Sequence, residues 1–153
     1  IGGNFRLDTL QAAVLLVKLK HLDRWHEERR QNAARYKALF EARGLGEFLT
    51  LPASVYEDRH LRFSHIYNQY VIRARRRDAL RQRLGECGVS TAIYYPLPLH
   101  RQACFAHLGY EEGSLPQSER AARRVLALPV YPGITSAQQE HVVDSIERFY
   151  QGT

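Results

Sequence analysis

Methionine is absent from all 153 residues, and the chain opens Ile1-Gly2-Gly3. Translation starts with methionine, and a bulky second residue such as isoleucine normally blocks its removal. The sequence is therefore expected to be a piece of something longer. Cysteine is scarce as well. Cys87 and Cys104 have neither a CxxC nor a metal-type partner spacing, which excludes a disulfide framework and suggests no metal site. Long apolar runs are missing: none approaches the ~20 residues that span a bilayer, and no secretory signal is recognisable. No membrane association and a cytoplasmic setting are expected. What is present is ordinary for a globular protein. Hydrophobic residues make up 44% and charged residues 25%, which excludes collagen-like, disordered and low-complexity classes. A chain of this mass buries roughly 69% of its unfolded surface, enough for a core without disulfides.

Lysine is rare too, being confined to Lys18, Lys20 and Lys37, so the formal net charge of +6 is carried almost entirely by arginine. Such a field draws anionic partners. The alternative is arginine on solvated helix faces beside Asp and Glu, and it is favoured because no zinc-finger spacing, RNA-binding strand motif or basic zipper accompanies the charge. No nucleic-acid partner is expected. The densest stretch, Arg73-Ala74-Arg75-Arg76-Arg77, would be the anion site of a small basic binding module, or else a solvated strand-to-helix junction.

Residues 8–43 read as one helix, with Asp8 and Gln11 as a capping box and Gly44 as its stop. Its first turns, Ala12 to Val17, are apolar on every side and read as buried all round. Later a single stripe remains, running through Leu19, Leu22, Trp25 or His26, Arg29, Ala33, Tyr36 and Phe40. At ~1.5 Å per residue the helix would be about 52 Å long, against about 38 Å across for a compact sphere of this chain length. Either it kinks or its apolar start packs on another chain or an upstream domain. With no proline inside it, the second is expected.

Beyond Pro52, residues 65–73 read as a strand rich in aromatic and β-branched residues. A helix follows from Arg77 to Cys87, closed by Gly88. Val89, Thr91, Ile93 and Tyr95 alternate as another strand that ends at Pro96. Ser114 to Gln117 caps a helix, Val125 to Val130 is a short buried strand, and Thr135 to Gln138 caps the last helix, with Val142, Val143, Ile146 and Phe149 inward. A long helix followed by a small helix-covered sheet gives an α/β or α+β layer.

Two segments can carry chemistry. The turn Gly2-Gly3-Asn4-Phe5-Arg6-Leu7 offers backbone donors, an amide and a guanidinium to an anion, or is an ordinary loop into a helix. The segment Tyr94-Tyr95-Pro96-Leu97-Pro98-Leu99-His100 presents phenols and an imidazole at a sheet edge, as small-molecule pockets do, or is a proline-stiffened connection. No Ser-His-Asp order, carboxylate pair or HExxH motif is present.

Taken in order, Gly3 to Asp8 with Leu10 to Ala13, Tyr67 to Arg73, Arg77-Asp78, Tyr95-Pro96 to Leu99-His100, Pro116 to Glu119 and Leu126 to Pro129 resemble the C-terminal part of the DegT/DnrJ/EryC1/StrS family of pyridoxal-phosphate-dependent sugar aminotransferases. The resemblance implies the small C-terminal α/β domain of a fold-type I enzyme. Residues 1–43 would be an interface turn and long helix leading from a missing large domain, and 44–153 the small domain. It also implies a homodimer with shared active sites. In it, Asn4 reaches the cofactor phosphate of the neighbouring subunit with Arg6 in support, and Tyr94, Tyr95 and His100 border the sugar-nucleotide pocket.

The implied chemistry is amino transfer from an amino acid, usually glutamate, to a keto-sugar nucleotide, in the synthesis of polysaccharide, lipopolysaccharide or antibiotic sugars. The lysine that binds the cofactor covalently is expected upstream of residue 1, since all three lysines lie in the long helix, and the chain alone is expected to be inactive. Family members that carry histidine in place of that lysine are dehydratases, so a sugar dehydratase is the alternative within the family.

Overall fold

The computed structural model describes residues 3–56, 59 and 61–152. Asp8 caps the first helix, α1 (Thr9–Leu19): its carboxylate accepts from the Gln11 N–H at 2.8 Å, and the Gln11 side chain accepts from the Asp8 N–H at 3.4 Å. This capping box is the one expected from the sequence. The single helix expected over 8–43 is instead two, because α1 gives way at Lys20–His21 to α2 (Leu22–Ala42). No proline causes the break. The His21 N–H donates to the Lys18 carbonyl, three residues back, at 3.0 Å, and the four-residue ladder resumes with Trp25 on His21 at 3.0 Å. A tightened turn of this type redirects a helix at little cost in hydrogen bonds.

The helix is thus interrupted, and its apolar start lacks cover among the described residues. No residue of α1 is buried, and Leu10 is 82% exposed. Among the described residues nothing folds back onto these turns, so the burial expected for them would have to come from another chain or an upstream domain.

The stripe on α2 behaves as its spacing requires. Ala33, Tyr36 and Phe40 are buried, and Gly44, at φ +65°, ends the helix in the left-handed conformation that glycine adopts without strain. After a short 3₁₀ turn at Leu45–Glu47 come β1 (Leu49–Thr50) and β2 (Tyr70–Ala74), then α3 (Arg77–Glu86), α4 (Pro116–Arg124), β3 (Val125–Leu128) and α5 (Ser136–Gln151). The strands form one antiparallel sheet in the order β1-β2-β3, with Leu49 opposite Ala74 and Ile72 opposite Leu126. Tyr70, Ile72, Leu126 and Leu128 pack in one cluster with Tyr36 and Phe40 of α2, Leu80 and Leu84 of α3, and Val142, Val143 and Ile146 of α5. The latter half of α2 therefore shares the core of residues 44–153. Arg43 ties the two ends together through ion pairs to Asp144 and Glu147.

Three expectations are corrected. β2 starts at Tyr70 rather than at residue 65, because Tyr67 sits at φ +47° and donates its N–H to the His65 ring at 2.9 Å instead of to a ladder. The alternating segment 89–95 is not a strand. Only Ala92 pairs, exchanging hydrogen bonds with Ala127 at 3.2 and 2.7 Å. The next exchange on the Ser90 side would need an N–H from Pro129, which has none, and on the Tyr94 side it would need Val125, whose N–H goes to the Ala121 carbonyl and whose own carbonyl accepts from Arg77. Finally, Ser114 does not cap α4. Its hydroxyl accepts from the Glu111 N–H at 3.0 Å, while Pro116 fills the first helical position, where its missing N–H costs nothing. α5 opens on the expected capping box, with the Thr135 hydroxyl accepting from the Gln138 N–H at 3.2 Å.

Candidate active-site segments

The turn before α1 is exposed from Gly3 onward, and Gly2 lies outside the described residues. The Asn4 side-chain oxygen accepts from the Arg6 N–H at 3.1 Å. That bond orients the amide so that its NH₂ donors stay uncommitted, and among the described residues the Arg6 guanidinium has no acidic partner either. An amide and a guanidinium, both donors without acceptors, fit a phosphate dianion. They do not fit a covalent attachment point for a cofactor. Lys18 and Lys20 sit at the end of α1, and Lys37 lies on α2 within 4.0 Å of Glu41.

The second segment begins where the Ala92 bridge ends. Tyr94 and Tyr95 are 42% and 72% exposed, with their rings edge to face at 5.8 Å. Tyr94 lines a shallow hollow of about 270 Å³ with Asn68, Gln69, Ser90 and Thr91. Pro96 and Pro98 stiffen the chain that follows, and a 3₁₀ turn at Leu99–Arg101 then rotates His100 inward. His100 is 8% exposed, with its Nε2 3.1 Å from the Glu119 Oε1 and its ring edge-on to Tyr110 at 5.9 Å. Of the three residues expected at the pocket edge, two face solvent and the third is turned inward.

Glu119 is the residue that sequence reasoning did not single out. It lies on α4, and both of its oxygens accept from the Gly113 N–H, at 2.9 and 3.0 Å. This bond, followed by the hydrogen bond from His100, holds its carboxyl below the usual value of 4.5, against the upward push of burial. An ionised carboxylate only accepts, so the imidazole donates from Nε2. The pair clips the proline turn carrying Tyr94 and Tyr95 to α4. No hydrogen bond or ring contact among the described residues joins this cluster to Asn4 or Arg6. Two buried tyrosines lie deeper: Tyr36 donates to the Pro129 carbonyl at 2.9 Å, and burial raises its phenol and that of Tyr70 well above the ordinary value.

Comparison with known proteins adds the wider context. The model of the DegT/DnrJ/EryC1/StrS aminotransferase family matches residues 1–147. A pleiotropic regulatory protein of Geobacillus stearothermophilus is 48% identical over 151 residues, covering 99% of this chain and 39% of that protein. A dTDP-3-amino-3,4,6-trideoxy-alpha-D-glucose transaminase of Streptomyces venezuelae is 36% identical, covering 97% of this chain and 37% of the relative. Among solved structures, DesV of S. venezuelae in complex with a ketimine intermediate superposes with a TM-score of 0.84 at 36% identity, over 97% of this chain and 38% of that one. A family aminotransferase from Brucella abortus gives 0.77 at 35% identity, over 97% and 37%. The chain thus spans less than two fifths of the length of the relatives it matches.

Proposed function

Because the chain belongs to the DegT/DnrJ/EryC1/StrS aminotransferase family, we propose that it is the C-terminal part of a pyridoxal-phosphate-dependent nucleotide-sugar aminotransferase. In this reading the whole protein moves an amino group from an amino acid, glutamate in the first instance, to the keto group of a sugar nucleotide. It works as a cytoplasmic homodimer in the synthesis of polysaccharide, lipopolysaccharide or antibiotic sugars. Residues 1–43 form the interface turn and connecting helices, and 44–153 the small domain. The observation that carries the reading is the agreement of sequence and backbone over nearly the whole chain with the DesV structure in complex with a ketimine intermediate.

Each site residue has a task its geometry allows. The Asn4 amide and the Arg6 guanidinium would bind the cofactor phosphate from the neighbouring subunit, since both are exposed donors ahead of an unburied helix. The bound cofactor supplies an electron sink for the amino transfer. Tyr94 and Tyr95 would border the sugar nucleotide with exposed rings and hydroxyls. His100 supports them from below through Glu119, at the rim of the same pocket.

The test is turnover by the full-length protein loaded with cofactor. With a 3-keto or 4-keto sugar nucleotide and glutamate, 2-oxoglutarate and the amino sugar should form in equal amounts. Loss of water from the sugar without amine incorporation would convert the reading to the dehydratase of the same family.

A further inference from the structure

The arginine stretch 73–77 is divided by the fold, and only part of it stays available. Arg77 turns into the protein, where its guanidinium donates to the Ala122 and Val125 carbonyls at 3.0 and 2.8 Å. Arg76 lies over the Phe149 ring. Arg73 is left on the outward side of β2, because strand alternation sends Tyr70, Ile72 and Ala74 to the core, and Arg75 is exposed in the turn that follows the strand. There they meet Arg120 and Arg124 of α4, nearly fifty residues away in sequence, around a cleft of about 350 Å³ that also includes Thr50 of the edge strand β1. Glu47 is the one carboxylate in its lining.

Several arginines elsewhere pair with acids: Arg24 with Glu28, Arg30 with Glu27, Arg43 with Asp144 and Glu147, Arg62 with Asp23, and Arg83 with Glu86. The four cleft arginines make neither an ion pair nor a side-chain hydrogen bond among the described residues. Like charges held together without counter-charges raise the free energy of the folded state, and an anion seated between them removes that penalty while accepting from guanidinium forks. The cleft lies at the β1 edge of the sheet, whereas Tyr94 flanks the β3 edge through the Ala92 bridge.

We propose that this cleft binds a small anion carrying two or more phosphate groups. Its enclosed volume suits such a ligand rather than a polymer, and the basic walls come from two different elements, as for a compact polyanion held from both sides. The proposal does not depend on the catalytic reading above.

The experiment is calorimetric titration of the full-length, cofactor-loaded protein with inorganic pyrophosphate. Arg120→Gln with Arg124→Gln, and separately Arg73→Gln with Arg75→Gln, should each weaken binding at least about tenfold. Arg123→Gln, on α4 but outside the cleft, should leave it unchanged. Melting curves confirm that the variants fold, and the two pairs, on separate walls, serve as checks on each other. Absence of pyrophosphate binding, or binding indifferent to both pairs, overturns the proposal. So does tighter, arginine-dependent binding of a single-stranded oligonucleotide, which would make the cleft part of a nucleic-acid track.

Discussion

The imidazole of His100 and the carboxylate of Glu119, 19 residues apart in sequence, meet at 3.1 Å with both side chains buried. They connect the proline turn after Tyr95 to helix α4. Because the folded structure holds the Glu119 carboxyl below its usual value of 4.5, chiefly through the Gly113 N–H, its contribution to stability is complete above that value and is lost as pH falls through the lower, folded pKa. Denaturant titrations between pH 7 and pH 3 should show stability declining on the acid side, and Glu119→Gln should flatten that decline. An unchanged acid slope in the variant would remove Glu119 as its source.

Tyr95 projects into solvent, and its hydroxyl has no hydrogen-bond partner among the described residues. In the full-length enzyme Tyr95→Phe should lower kcat/KM for the sugar nucleotide by about 2- to 12-fold, the worth of one neutral hydrogen bond of ~0.5–1.5 kcal/mol, with no change in melting temperature. His100→Ala should lower the melting temperature as well, since it takes from the buried Glu119 its side-chain donor and leaves only backbone N–H groups. Equal effects of both variants on stability would show that Tyr95 packs rather than binds.

Asn4 is proposed to give its amide to a phosphate dianion. A hydrogen bond to a charged group is worth ~1.5–3 kcal/mol, so Asn4→Ala should weaken cofactor retention by about 10- to 150-fold in the full-length protein. Cofactor dissociation followed by absorbance measures this directly, and unchanged retention would take Asn4 out of the site. The 153-residue chain by itself should acquire no cofactor absorbance, because its lysines lie on helices away from both candidate segments.

Helix α1 leaves Leu10, Val14, Leu15, Leu16, Val17 and Leu19 in water. A contiguous apolar surface of this kind drives association. In the full-length protein Val14→Asp should either halve the mass seen by light scattering or lower stability by about 1.5–3 kcal/mol, the worth of burying one such side chain. A variant with the wild-type mass and melting temperature would show that this face is solvated.

Arg77 satisfies two backbone carbonyls and pairs with Asp78 at 2.7 Å while itself buried. Arg77→Ala should destabilise the chain by about 1.5–3 kcal/mol through the loss of charge-assisted hydrogen bonds. Arg76→Ala, one residue away and exposed, should cost under ~1 kcal/mol. Chemical denaturation of the pair of variants decides between a core arginine and a solvated one.

Local signals were legible in the sequence wherever a residue's role depends on near neighbours. The capping boxes at Asp8 and Thr135, the stop at Gly44, the α2 stripe of Ala33, Tyr36 and Phe40, and the buried run Val125–Leu128 all follow from spacing, since a helix face or a cap is set within four residues. The ordered segments that resemble the family were readable for the same reason. Long-range pairing was not. Alternation from Val89 to Tyr95 promised a strand, but a strand exists only where a partner supplies hydrogen bonds, and Pro129 withholds one. The break at Lys20–His21 has no local marker, and the two-residue β1 is too short to leave a pattern. His100 reads as an exposed pocket residue until α4 brings Glu119 beneath it. The arginines at 73–77 read as one basic run until strand alternation, a ring and two carbonyls divide them and α4 adds Arg120 and Arg124 to the remainder. For His100 and for these arginines the deciding contact lies 19 or more residues away, and only the packed chain specifies it.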